Sequence, residues 1–296
     1  MIKEIELANG KLTGDLTKQY KSDGYLFPIE VFSRNQAETF RKELETIEDR
    51  FASVKLPKPL NSYKRGPANA VIPLVADIAK DKRVLDVVEG ILGKNILIWA
   101  AEFFIKENKS KQFVGMHQDL TYWGMGETSG QVTAWIALSP SKKKSGCMEF
   151  VRGSHKNQIF PHDDTFSGDS LLSRGQEIRV DIPRDKKIFA ELDPGQMSLH
   201  HGLMIHGSGP NFSDDRRIGI AIRYINPDVM QQTSGKSYAM LARGVDRKGN
   251  FIHYPVPSRI FSEESLQLHK EICESQQQVL MATAKQEGSV WSKSTV

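Results

Sequence analysis

The chain is poor in everything that would place it in a special environment. Only two of its 296 residues are cysteine, Cys147 and Cys273, and they lie far apart. That is too few for a disulfide framework, so a reducing, cytoplasmic setting is expected. No stretch approaches the roughly 20 consecutive apolar residues of a membrane-spanning helix, and the opening MIKEIELANGKLTGD lacks the apolar run of a secretory leader. A membrane role is therefore not expected. Charge of one sign is scarce as well. The 40 basic and 36 acidic residues leave +4, too small and too scattered an excess for a nucleic-acid surface. There is no internal repeat and no low-complexity tract. What remains is ordinary globular composition, 39% hydrophobic and 26% charged, in a chain long enough to bury a large core without covalent cross-links.

Local patterns give an order of elements. Tyr25 to Phe32 reads as a short strand, with Pro28 confining it to a sheet edge. Ser33 is a helix N-cap with Gln36 as its reciprocal partner, and Ala37, Phe40, Leu44, Ile47 and Phe51 follow at helical spacing, so residues 34–51 form an amphipathic helix. Residues 53–70 carry Pro57, Pro59, Gly66 and Pro67, which predicts an irregular loop. Its cluster of Lys55, Lys58, Asn61, Lys64 and Arg65 suits a flap over a polar or anionic ligand. A second helix runs from Asp81 to Leu92 and stops at Gly93. From Asn95 the pattern turns to strand: ILIWAAEFFIK, then residues 131–138, 146–151, 178–182, 187–192, 196–200 and 218–225. Residues 152–176 read as a long connection, and 262–285 as a C-terminal helix. Helices followed by about eight short strands imply a mainly β fold. We expect a double-stranded β-helix (jelly-roll, cupin-like) core over about 95–230 with helices packed outside, and one domain spanning 1–296.

One stretch stands out chemically. In GMHQDLTYW, His117 and Asp119 stand two apart, which on a strand places both on one face. Two imidazoles and a carboxylate hold ferrous iron with one face left open. The third ligand must come from a distant strand, and His200, His201 and His206 compete for it. His206 is preferred because Gly207 and Gly209 permit close approach and because Arg217 opens a strand shortly after it. A guanidinium fork grips a carboxylate, so Arg217 suits the far carboxylate of a chelating dicarboxylate such as 2-oxoglutarate. Ser208 adds a hydroxyl nearby, and Arg216 faces the other way by alternation. A second H-x-D, His162 to Asp164, lies in the long connection and leaves too little chain before His206. Tyr122 and Trp123 follow the ligand pair directly and are candidates for gripping substrate. Met125, Arg152, His155, Lys64 and Arg65 are weaker ones.

FFIKE, HQDLTYW, VTAWIALSP, GCMEFVRGSH and HGSGPNFSDDRR together make the chain resemble the phytanoyl-CoA dioxygenase family of Fe(II)/2-oxoglutarate-dependent oxygenases, over about residues 98–225. The resemblance implies His117, Asp119 and His206 as catalytic iron ligands and Arg217 as the partner of 2-oxoglutarate. It adds Ser208 and Trp135 as residues of the cosubstrate pocket. The family's further contact in the preceding strand falls near Glu102 or Phe104, where a glutamate sits awkwardly beside a dicarboxylate. Halogenating relatives replace the carboxylate ligand by a small residue, so Asp119 favours hydroxylation.

The implied reaction uses O2 to decarboxylate 2-oxoglutarate to succinate and CO2 and hydroxylates a C–H bond of a small molecule. Desaturation, cyclisation or demethylation begins from the same cofactor chemistry, and a non-catalytic jelly-roll binding protein could retain the same ligands. Such families act on acyl-CoA, amino acids, osmolytes, phosphonates and secondary metabolites, so chemistry is implied but the substrate is not. The short chain and its basic 53–70 segment favour a small polar or anionic metabolite.

Overall fold

The computed structural model describes residues 5–165, 167–172, 175–180, 182–232 and 237–281. Its helices are α1 (Gly14–Asp23), α2 (Arg34–Phe51), α3 (Leu60–Arg65), α4 (Pro73–Lys80), α5 (Lys82–Leu92) and α6 (Glu263–Met281). The strands up to the middle of the chain are β1 (Tyr25–Glu30), β2 (Ile96–Lys106), β3 (Val114–His117), β4 (Gln131–Ala137), β5 (Met148–Val151) and β6 (His162–Asp164). They continue as β7 (Gln176–Ile178), β8 (Lys187–Ala190), β9 (Gln196–His201), β10 (His206–Ser208), β11 (Arg217–Ile225), β12 (Ser237–Arg243) and β13 (Phe251–His253).

Two sheets face each other in the double-stranded β-helix arrangement. The larger runs β1-β9-β4-β11-β2-β12-β13 and the smaller β3-β10-β5-β8; β6 and β7 form a hairpin. Side-chain alternation divides the large sheet cleanly. On β4 and β11, Val132, Ala134, Ile136, Ile218, Ile220, Ile222 and Tyr224 join the helices in the main core. The alternate positions on these strands turn towards the small sheet, where Trp135, Ala137 and Ala221 meet Met148, Phe150 and Ala190. Both strands are buried along their whole length, which is why they read as apolar runs.

Several elements form as the residues dictate. Ser33 accepts from the Gln36 N–H while the Gln36 side chain accepts from the Ser33 N–H, a full capping box for α2. β1 is an edge strand, and its register slips between Leu26 and Ile29, the interval that holds Pro28. Asp81 caps α5 through the Arg83 N–H.

Other expectations need correction. Residues 53–70 are not wholly irregular: α3 and a 3-10 turn at Ala68–Ala70 lie within them. Buried Tyr63 and Ala68 supply the tertiary anchors that the Pro and Gly residues conceal in the sequence. Helices α1 and α4 were not expected; they are short, and α4 is buried on most sides. The sheet core is wider than 95–230, since β1 precedes that range and β12 and β13 follow it. The long connection 152–176 contains β6 and leads into β7, and the strand expected at 178–182 instead ends at Ile178. The last residues of the predicted C-terminal helix, 282–285, lie outside the described residues. No helix among the described residues is long and apolar enough to cross a membrane.

Candidate metal centre

His117 ends β3 and His206 begins β10, and the antiparallel ladder sets them directly opposite each other. Their rings lie 4.2 Å apart between centroids. Asp119 opens the 3-10 turn that follows β3. One ligand atom from each of the three side chains comes within 4.8 Å of the others, and all three residues are buried. The expected trio therefore converges, although the chain separates it widely.

Hydrogen bonds orient each member. His117 Nδ1 meets the Gly115 carbonyl at 2.9 Å and His206 Nδ1 meets the Met204 carbonyl at 2.9 Å. A carbonyl only accepts, so each Nδ1 carries the proton and each Nε2 keeps its lone pair. Both lone pairs face Asp119 Oδ1, at 3.3 Å from His117 and 3.9 Å from His206. The other oxygen, Oδ2, accepts from the Thr133 hydroxyl at 3.2 Å, and Gln131 in turn donates to that hydroxyl at 2.9 Å. One carboxylate oxygen is thus held by the scaffold and one is left for a cation. Burial lowers the pKa of His206 far below its ordinary value, and the neighbouring His117 and His200 rings add to this. Neutral imidazoles beside an anionic carboxylate are the protonation states that ligation requires.

The competing histidines separate clearly. His200, on β9 opposite Thr133, is buried behind the carboxylate, with Nε2 3.7 Å from Asp119 Oδ2. His201 turns away towards His155. The second H-x-D has a different use. His162 Nε2 accepts from the Gln118 backbone N–H at 3.1 Å, steadying the residue between the two ligands.

Two cavities open onto members of the trio. One is lined by His117, Asp119, His206, Trp135, Ser208 and Arg217, with His200 at its wall. Arg217 is buried, and burial lowers its pKa to about 10. Its guanidinium lies 5.2 Å over the Trp135 ring and donates to the Gly146 carbonyl at 3.0 Å, while its Nε has no partner. Among the described residues Arg217 has no carboxylate partner, and a buried cation of that kind suits the far end of a dicarboxylate, while two imidazoles with one carboxylate suit Fe(II). The residues present therefore fit both groups. Arg216 faces the opposite way, as alternation requires, but it is no idle surface charge: it pairs with Glu48 and Glu107.

The second cavity is a cleft lined by His117, Asp119, Tyr122, Trp123, Trp99, Phe104, Glu102, Arg223, Arg65 and Asn61, among others. Tyr122 and Trp123, the candidates for gripping substrate, both line this cleft. Trp99 joins Trp123 with ring centroids 5.1 Å apart. It is the residue that the β2–β11 register skips, so a β-bulge re-aims its indole. Arg65 also reaches this wall. Lys64 turns instead to Glu48, Arg152 to Tyr25 and Asp23, and His155 to the Lys21 carbonyl. Met125 is buried in a neighbouring apolar cluster. None of these four lines the cleft. Arg223 was not singled out, yet it faces the cleft as the ion-pair partner of Glu102. That pairing resolves the awkwardness of a glutamate here. Burial raises the Glu102 pKa while Arg223 and Arg65 oppose the shift.

Comparison with known proteins agrees with this geometry. The family model described as Phytanoyl-CoA dioxygenase (PhyH) matches residues 20–219. Peroxisomal phytanoyl-CoA dioxygenase of Mus musculus is 25% identical over 260 residues, covering 82% of this chain and 77% of that protein. The solved structure of the apo non-heme monooxygenase ThoJ aligns with TM-score 0.80 and 30% identity, over 91% of this chain and 98% of that one. Its nickel complex aligns with TM-score 0.76 and 27% identity, over 91% and 100%.

Proposed function

From the premise that the chain belongs to the phytanoyl-CoA dioxygenase family of Fe(II)/2-oxoglutarate-dependent oxygenases, we propose that it hydroxylates an unactivated C–H bond of a small polar or anionic metabolite. The observation that carries this reading is the convergence of His117, Asp119 and His206 beside a cavity that ends in the buried Arg217 cation.

His117, Asp119 and His206 would hold the iron, and Arg217, Ser208 and Trp135 the cosubstrate. When bound, Fe(II) with 2-oxoglutarate and O2 supplies an oxidant able to take hydrogen from a C–H bond, with release of succinate and CO2. The chain's own part is orientation and exclusion of water. Thr133 keeps Asp119 Oδ2 occupied, so that Oδ1 faces the cation. Trp135 forms a flat wall along the first cavity, and the Arg217 fork fixes the direction in which a dicarboxylate lies. The second cleft meets His117 and Asp119 from another side, which admits substrate without displacing cosubstrate.

The cleft supports the substrate class. Trp99, Trp123, Tyr122 and Phe104 offer apolar faces, and with Asp119 committed to the metal, Arg65 and Arg223 outnumber Glu102 and leave one cation for an anionic group. α3 before the central strands and Gln276 of α6 after them both wall the cleft, which supports a single catalytic domain over 1–296. The two cysteines are unpaired and buried, which fits a reducing setting.

The test is succinate formation from 2-oxoglutarate that requires Fe(II) and O2 and is accelerated by members of a metabolite pool. Hydroxylation adds one oxygen to the accelerating compound by mass; loss of two hydrogens would point to desaturation instead. A purely binding protein would give no succinate. His206→Ala is expected to abolish turnover through loss of iron. Arg217→Ala should weaken 2-oxoglutarate binding, and wild-type affinity in that variant would refute the assigned role.

A further inference from the structure

Arg217 does not face the cavity alone. Lys106, the last residue of β2, stands directly opposite it in the β2–β11 ladder. Lys106 is fully buried and forms no ion pair among the described residues. Like charges placed opposite each other on a sheet destabilise it, and burial multiplies that penalty. Burial, with the Arg217 charge added, pushes the Lys106 ammonium down to about 5. An anion at this end of the cavity would offset the Arg217 charge and favour the protonated form of Lys106.

The surroundings of Lys106 Nζ are specific. It lies 2.7 Å from Ser208 Oγ, 3.2 Å from the Ser208 carbonyl and 3.4 Å from the Gly146 carbonyl, and it also bonds the Gly209 carbonyl. The Gly146 carbonyl is the one that Arg217 also uses. Three of the four oxygens are carbonyls, which only accept. An arriving carboxylate favours the charged amine, which has no lone pair, so Ser208 Oγ must then accept as well. The hydroxyl proton of Ser208 is left unspent, and its side chain lines the same cavity as Arg217 and Trp135. Lys106 itself lies behind that wall.

Building on the 2-oxoglutarate reading above, we propose that Lys106 is a positioning residue for the cosubstrate's distal carboxylate, locking the Ser208 hydroxyl as a donor aimed at the anion held by Arg217. It selects dicarboxylates over 2-oxo acids that lack the second carboxylate, and it acts through Ser208 without touching the ligand.

The experiment compares 2-oxoglutarate with 2-oxobutanoate, which lacks the distal carboxylate, by calorimetry on the Fe(II)-loaded enzyme without oxygen. Lys106→Met is expected to weaken 2-oxoglutarate binding about tenfold, the scale of one charge-assisted hydrogen bond. Its affinity for 2-oxobutanoate and for Fe(II) should not change. Ser208→Ala should give the same pattern, and the double variant should be no weaker than the weaker single one, because both changes remove one interaction. Additive losses, or a Lys106→Met enzyme with wild-type affinity for 2-oxoglutarate, overturn the proposal. If Lys106→Met does not fold, Ser208→Ala decides the matter: unchanged affinity there also overturns it. Wild-type affinity in Arg217→Ala would instead remove the cosubstrate reading itself, so the two failures are distinguishable.

Discussion

A missing side chain at Gly219 determines where the Arg217 guanidinium can lie. Gly219 sits between Arg217 and Ala221 on the inward face of β11, and a Cβ there would come 1.8 Å from Trp135 Cζ2. The indole occupies the space a methyl group would need, and Arg217 rests over that indole. Gly219→Ala must therefore displace Trp135, an overpacking cost of roughly 1–3 kcal/mol. We expect this variant to keep its Fe(II) affinity and lose tenfold or more in 2-oxoglutarate affinity, measured by anaerobic calorimetry. Unchanged cosubstrate binding would mean that the indole has no part in the site. At this scale the sequence was most informative about residue type. His117, Asp119, His206 and Arg217 were legible because few side chains can ligate iron or grip a carboxylate. His200 and Thr133 were not, because their task depends on which strand lies beside which. Nothing in the sequence marked Lys106; only the ladder sets it against Arg217.

Among the elements, α3 and α6 show how the cleft is held in shape. His269 of α6 is buried, with its ring 4.9 Å from Tyr63 of α3. A Cβ on Gly66 would lie 2.9 Å from His269 Nε2. Burial, with a small contribution from Lys58, pushes the His269 pKa down to about 3. The unfolded chain binds this proton more readily, near the ordinary value of about 6.5. The stability due to neutral His269 is therefore complete above about pH 6.5 and is lost as pH falls towards about 3. Urea unfolding at pH 7 and pH 4.5 should show a marked loss for the wild type and a smaller one for His269→Gln; equal slopes would end this account. A further expectation belongs to α2. Ser33→Ala removes one half of its capping box and should lower stability by about 1 kcal/mol, read from the denaturation midpoint. α2 was legible because cap and apolar stripe agree. α3 was obscured because the prolines and glycine around it signal a loop, and its stability comes from Tyr63 packing under Phe261 and His269.

For the molecule as a whole, the candidate centre is a junction between sheets. His117 and His206 belong to the small sheet, while Asp119 is tied to Thr133 of the large one. A cation held by all three would link the two sheets. Binding to the folded state alone stabilises it by about 2.7 kcal/mol at a hundredfold excess over Kd. Unfolding midpoints with Fe(II) or Ni(II), against those with a chelator, should differ accordingly in the wild type and coincide in His206→Ala. A wild-type midpoint indifferent to the metal would leave the trio without a cation.

Sequence alone determined which chemistry was possible: the ligand types, the arginine, the alternating strands and the capped helix, since these depend on side-chain identity and on periods of two or 3.6 residues. Only the tertiary structure decided that His200 sits behind the carboxylate, that Glu102 is paired with Arg223, and that Lys106 stands opposite Arg217. Those outcomes depend on strand register, and register is fixed by packing between residues far apart in the chain.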